Sequence, residues 1–344
     1  MSLYNIFLLS IFTIILSLIF IKNHNFVLKF LDSDLNKPQA FHRTPTPRIG
    51  GVIIYFLSLF CIFFFIEFNS FLFGITSLGT LFVLIGFFED IKIKISPTLR
   101  LVLMIIFSYI IIYYLDIKIL NTQFLFLNNF ISSNKIISSL FVCLCLVFII
   151  NGCNLIDGFN GLLLIHFLII SAVLLFIDNS NVSFVREYLI FLITITIILL
   201  FFNFPKAHLF LGDAGAYFLG INLSLIVIEI SNQNNHIPPF FFAGLLFYLF
   251  FEVFFSFFRK SIFLKTSPLE PDKKHLHMLV FKFFNKNNNF DKSNYLTSIT
   301  INIFYLILIT PLIINYKNQL FCKLYFFLII FIYLLFYRKL YLRK

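Results

Sequence analysis

Long apolar runs alternate with short polar ones along most of the chain. A helix that crosses a bilayer needs about 20 largely apolar residues. Eleven stretches approach that length: Leu3–Ile21, Gly50–Phe68, Phe71–Phe88, Leu101–Leu115, Ile136–Ile150, Leu162–Ile177, Tyr188–Phe204, Ala214–Ile230, Pro239–Phe258, Tyr295–Ile314 and Phe321–Tyr337. The pattern predicts an all-α, polytopic membrane protein forming one membrane domain over residues 1–344, with no soluble domain, internal repeat or Pro/Gly-rich linker. The polar cluster Asn151–Asn160 cuts one long apolar stretch in two and reads as a break after the fifth span. The first run has no basic stretch before it and no small-residue cleavage site, so it reads as a retained span.

Composition strengthens this reading. The chain is 60% hydrophobic with a mean hydropathy of +0.98, whereas soluble domains are about 45–50% apolar. Five scattered cysteines have neither zinc nor redox spacing and read as small packing residues. The net charge of +11 would suggest nucleic acid in a soluble chain. Alternating the spans gives a simpler cause. Of the 26 Lys and Arg residues, only Lys118, Lys135, Arg186, Lys317 and Lys323 fall on one side; the other 21 fall on the opposite side. The positive-inside rule then puts the N-terminus outside and the C-terminus in the cytoplasm, with no nucleic acid partner implied.

The unusual polar residues gather on the predicted cytoplasmic side, in five places. These are His42–Gly51, Gly86–Asp90, Asn151–Gly161, Phe210–Ala216 and Pro271–His277. Each alone is compatible with a turn or a helix cap. Unrelated turns would not collect their acids and amides on one face of a membrane, where ionisable groups are costly and usually functional. Carboxylates and side-chain amides are hard oxygen ligands of the kind Mg²⁺ takes together with substrate phosphates. Glycines beside Asp157 and Asp213 let backbone approach a phosphate closely. Arg43, Arg48, Lys273, Lys274, His275 and His277 add positive charge. The set suits the meeting of a phosphate nucleophile with a diphosphate, where repulsion between anions must be cancelled.

These residues resemble the polyprenyl-phosphate N-acetylhexosamine-1-phosphate transferases, glycosyltransferase family 4, from about Asp32 to about Phe281. All five motifs occur in the family's order and on its predicted side. The resemblance implies transfer of HexNAc-1-phosphate from a UDP-N-acetylhexosamine to undecaprenyl phosphate, releasing UMP. It implies Mg²⁺ as cofactor, with Mn²⁺ an alternative, and a multi-pass protein of the bacterial inner membrane with its site facing the cytoplasm. Glu89, Asp90 and Asp157 are then the catalytic candidates. Arg43, Arg48, Asn151, Asn154, Phe210, Lys273, His275 and His277 are the substrate-binding candidates, with Phe210 near the uracil and the histidines on the diphosphate. Asp213, with Asn154, is the metal candidate. Two positions depart from the family's pattern: Glu89 stands where most members have Asp, and Met278 where many have a third His. Pro47–Gly51 resembles the branch that starts O-antigen and teichoic acid synthesis, which ranks the phospho-MurNAc-pentapeptide transferase of peptidoglycan synthesis second. A nucleotide-sugar or lipid transporter ranks lower, because a transporter's polar site belongs near the bilayer midplane. A homodimer is left open.

Overall fold

The computed structural model describes residues 3–22, 30–32, 45–177, 183–268, 272–287 and 289–343. Its helices are α1 (Leu3–Lys22), α2 (Gly50–Phe65), α3 (Ser70–Asp90), α4 (Pro97–Leu115), α5 (Leu125–Ser132), α6 (Lys135–Ile156) and α7 (Leu162–Ile177). They continue with α8 (Ser183–Asn203), α9 (Gly212–Gln233), α10 (Pro239–Leu245), α11 (Phe247–Phe258), α12 (Leu276–Phe284), α13 (Phe290–Ile314) and α14 (Gln319–Leu342). Strands β1 (Leu31–Asp32) and β2 (Thr46–Pro47) pair antiparallel.

Each of the eleven predicted runs is helical. Eight helices among the described residues are long and apolar enough to cross a membrane, and nine if α10 and α11 form one bent span; α2 and α7 are shorter apolar helices. The fold is thus all-α and polytopic. The helix starts are written in local chemistry. The Asn69, Asn134, Asn289 and Asn318 side chains each accept a backbone N–H of the helix that follows, and Ser96 does so before Pro97. These are the residue types that satisfy the free N–H groups of a first turn.

Two features differ from the sequence reading. Helix α6 runs on to Ile156, so Asn151 and Asn154 lie on its last turns and the break comes only at Asp157. Asn at i and i+3 shares one helix face, and Asn154 there meets Tyr217 of α9. The ninth run is not continuous either: it bends by 73° between α10 and α11. Within the bent part sits Glu252, 1% exposed.

Helix α9 is the axis of the fold and is buried along nearly its whole length. Neighbouring backbones reach it through glycine. A methyl group at Gly51 of α2 would overlap the backbone of Ala214 and Gly215, and one at Gly86 of α3 would overlap that of Asp213 and Ala214. The start of α9, the end of α3 and the start of α2 therefore touch backbone to backbone.

Candidate active site

The site is assembled where these helix ends meet. Backbone hydrogen bonds stitch the Pro47–Gly51 segment to Phe210–Leu211. The Phe210 N–H donates to the Pro47 carbonyl (2.8 Å), the Gly50 N–H to the Phe210 carbonyl (2.9 Å) and the Gly51 N–H to the Leu211 carbonyl (2.7 Å). Arg48 and Phe210 form a parallel bridge. Two motifs far apart in sequence thus share one strand-like edge.

Helix α9 has no side-chain cap from its own segment. Asp90, the last residue of α3, supplies it. Its carboxylate accepts the Asp213 N–H at 3.0 Å and the Ala214 N–H at 3.1 Å. A negative charge at a helix N-terminus is favoured by the helix dipole. The Arg48 guanidinium stands 3.8 Å away, and Asp90 itself is 3% exposed. Gly212, which leads into this turn, has φ +77°, and a Cβ there would lie 2.6 Å from Oδ2 of Asp90. Gly212→Ala is therefore expected to push the carboxylate off its N–H partners. We expect a lower melting temperature in detergent, with a cost of roughly 1–3 kcal/mol, and parallel loss of activity. A Gly212→Ala protein that melts like the wild type would show that the cap is dispensable.

Glu89 sits differently. It takes both hydrogen bonds of a fork from Arg100 Nη1, at 3.0 and 2.8 Å. The Tyr217 hydroxyl donates to Glu89 at 3.3 Å and receives the Asn154 side-chain amide at 3.3 Å. A chain Asn154–Tyr217–Glu89–Arg100 therefore runs along the floor of the site. Neither Tyr217 nor Arg100 was apparent as a site residue from the sequence. Tyr217 stands four residues after Asp213, hence on the same helix face, and that spacing was the available signal.

Asp157 and Asp213 are half-buried. Burial, and then the neighbouring Asp213 carboxylate, push the Asp157 carboxyl well above the ordinary Asp range, while Arg48 pulls it down. Among the other candidates, the Asn151 amide donates to the Val147 carbonyl of its own helix at 2.8 Å. Phe210 is half-buried and Lys273 exposed. Arg43 lies outside the described residues. His275 and His277 are enclosed, 2% and 0% exposed, and stack on each other with ring centroids 5.5 Å apart. Burial lowers His277 to about 3. The histidine pair joins the site through Phe159, whose ring meets that of His277 at 5.7 Å.

Among the described residues the site holds four carboxylates, Glu89, Asp90, Asp157 and Asp213, against two guanidinium groups, Arg48 and Arg100. Asp90 is committed to the α9 backbone and Glu89 chiefly to Arg100, while Asp157 has Arg48 nearby and Asp213 hydrogen-bonds Glu89. No group of three or more His, Cys, Asp or Glu side chains among the described residues is arranged to hold a metal ion. The neighbouring Asp157 and Asp213 carboxylates nevertheless fit Mg²⁺, which commonly takes one or two protein carboxylates and completes its shell with water and substrate phosphates.

Fold and site together define a polytopic helical membrane protein with an acid-lined site at the ends of its helices. Residues 70–231 match the family model of glycosyl transferase family 4. The match holds three of the five motifs and places this segment in the family that the sequence resembles. An undecaprenyl-phosphate alpha-N-acetylglucosaminyl 1-phosphate transferase of Thermotoga maritima is 31% identical over 41% of this chain and 42% of its own length. A phospho-N-acetylmuramoyl-pentapeptide-transferase of Petrotoga mobilis is 31% identical over 55% of this chain and 62% of its own. A probable undecaprenyl-phosphate N-acetylglucosaminyl 1-phosphate transferase of Bacillus subtilis is 27% identical over 40% and 39%. The chain thus spans between about two fifths and three fifths of the length of these relatives.

Proposed function

We propose that this protein transfers N-acetylhexosamine-1-phosphate from a UDP-N-acetylhexosamine to undecaprenyl phosphate, releasing UMP. The observation that carries the reading is the convergence of Asp213 and Asp157 beside Arg48, a mixed-charge site at helix ends where a lipid phosphate and a nucleotide diphosphate can meet. Asp213, Asp157 and Asn154 would hold Mg²⁺, which neutralises the charge of the two phosphate groups when bound. Arg48 would face the diphosphate, and Phe210, on the same edge, the uracil.

An oxygen of the lipid phosphate attacks the phosphorus bearing the sugar, and the bond from that phosphorus to the UMP oxygen breaks. Direct attack is favoured over a covalent enzyme intermediate. The lipid phosphate is already an oxygen nucleophile, and catalysis of phosphoryl transfer is mostly positioning and charge stabilisation. Of the acids that could attack first, Asp90 is the most tightly engaged, since each of its oxygens accepts a backbone N–H.

The site would face the cytoplasm of a bacterial inner membrane, as the distribution of Lys and Arg indicates. The Pro47–Gly51 loop favours a role at the start of O-antigen-like surface polysaccharide synthesis over peptidoglycan synthesis. The test is UMP release by purified protein with undecaprenyl phosphate and a panel of UDP-HexNAc donors, UDP-GlcNAc and UDP-MurNAc-pentapeptide among them. Labelled UMP is expected to enter the donor pool only when polyprenyl phosphate is present. Exchange as fast as turnover in lipid-stripped protein would refute direct attack, and release from no donor would refute the reading.

A further inference from the structure

Glu252 has no part in the site as described. It lies in α11, beyond the 73° bend, among phenylalanines. A buried carboxylate in such surroundings is costly unless it is paired and hydrogen-bonded. Glu252 meets three donors. The Tyr333 hydroxyl of α14 donates to it at 2.7 Å and the Leu276 N–H at 3.1 Å, and His275 Nδ1 stands 3.1 Å away. The other ring nitrogen of His275, Nε2, is 3.3 Å from an Asp272 carboxylate oxygen. Asp272 is held in turn by Arg259 at 2.6 Å, and Arg259 also donates to the Lys274 carbonyl at 2.5 Å and to the Tyr337 hydroxyl at 2.8 Å.

A carboxylate only accepts hydrogen bonds, and an imidazole has two N–H donors only as the imidazolium. Both ring nitrogens of His275 face protein carboxylates, Nδ1 in a hydrogen bond with Glu252 and Nε2 at ion-pair distance from Asp272. We propose that Glu252 is the positioning residue of the loop that carries the two histidines. With Asp272 it holds His275 as a charged strut, so that the ring fixes the place of the loop and does not bind the donor. The proposal deepens the transferase reading and rests on it only for what the loop is positioned against.

His275 is met directly by Glu252 of α11, Asp272 of the loop and His277 of α12, and behind these stand Tyr248 on His277, Tyr333 on Glu252, and Arg259, Lys260 and the Lys274 N–H on Asp272, with Tyr337 on Arg259. Of the carboxylates, only Glu252 and Asp272 meet the ring nitrogens. Removing either weakens the hold on the imidazolium proton.

Nitrogen-15 NMR of histidine-labelled full-length protein in liposomes tests this. The His275 signal is assigned by its loss in His275→Gln. The wild type is expected to show an imidazolium at about pH 7. In Glu252→Gln the pH at which that signal disappears should fall by about one unit or more. Asp272→Asn, on a partly exposed residue, guards against a Glu252→Gln protein that does not fold, and should lower the midpoint measurably. Adding UDP-GlcNAc should leave the ring nitrogens in place. A neutral ring in the wild type, an unchanged midpoint in Asp272→Asn, or a ring shift on adding donor would each overturn the proposal. In the transferase assay, Glu252→Gln should lose about tenfold more rate than the wild type between pH 6 and pH 8. Equal pH profiles in the two proteins would also overturn it. A wild type that transfers nothing, with the ring signals as expected, would sink the transferase reading and leave the strut intact.

Discussion

Asp213→Asn should leave a protein that folds at least as well as the wild type and turns over on the order of 10² times more slowly. The two effects have one cause. Asp213 faces Asp157 and Glu89, and its charge raises the cost of keeping Asp157 ionised. The amide removes that repulsion while keeping the shape, so the melting temperature in detergent should hold or rise. The same change removes the negative charge best placed for a divalent cation, so UMP release should collapse. Turnover near the wild-type rate at saturating Mg²⁺ would take Asp213 out of the metal role. A protein that melts early would mean that the carboxylate is structural.

Asp90→Asn should behave in the opposite way, with fold and activity lost together. Both Asp90 oxygens accept backbone N–H groups of α9. An amide has one oxygen, and its NH₂ would be turned toward an N–H, leaving a buried donor unsatisfied. Hydrogen bonds to a buried charge, together with the nearby Arg48, set the expected loss of stability at about 3 kcal/mol. Thermal melting and UMP release measured on the same preparation would check it. An Asp90→Asn protein that melts normally but is inactive would make Asp90 a direct participant in the chemistry. Neighbouring acids on one helix end would then have been wrongly divided between architecture and catalysis.

That division could not be read from the sequence. Glu89-Asp90 is legible as a pair of acids at the end of an apolar run, and the run itself is legible because the bilayer demands length and apolarity. Which acid caps α9 and which faces Arg100 depends on how two helices meet, and no local pattern encodes that. Asn151 and Asn154 were legible as unusual residues after an apolar stretch. Their helical setting was not, because Asn is as much at home in turns and caps as on a helix. The histidine loop was legible as a cluster of polar residues, but its burial was not, because the enclosing groups come from α11 and α14. Glu252 carried a usable signal: a lone carboxylate inside a run of phenylalanines seldom lies idle.

The glycines at 51 and 86 bear on more than packing. They bring the backbones of α2 and α3 against the first turn of α9 with no side chains between them. A layer of side chains could shift rotamers and let the helices back away from each other. Bare backbone offers no such slack. The spacing between Asp213 on the first turn of α9 and the Glu89-Asp90 pair at the end of α3 is therefore set by the main chain itself and not by side chains that could yield.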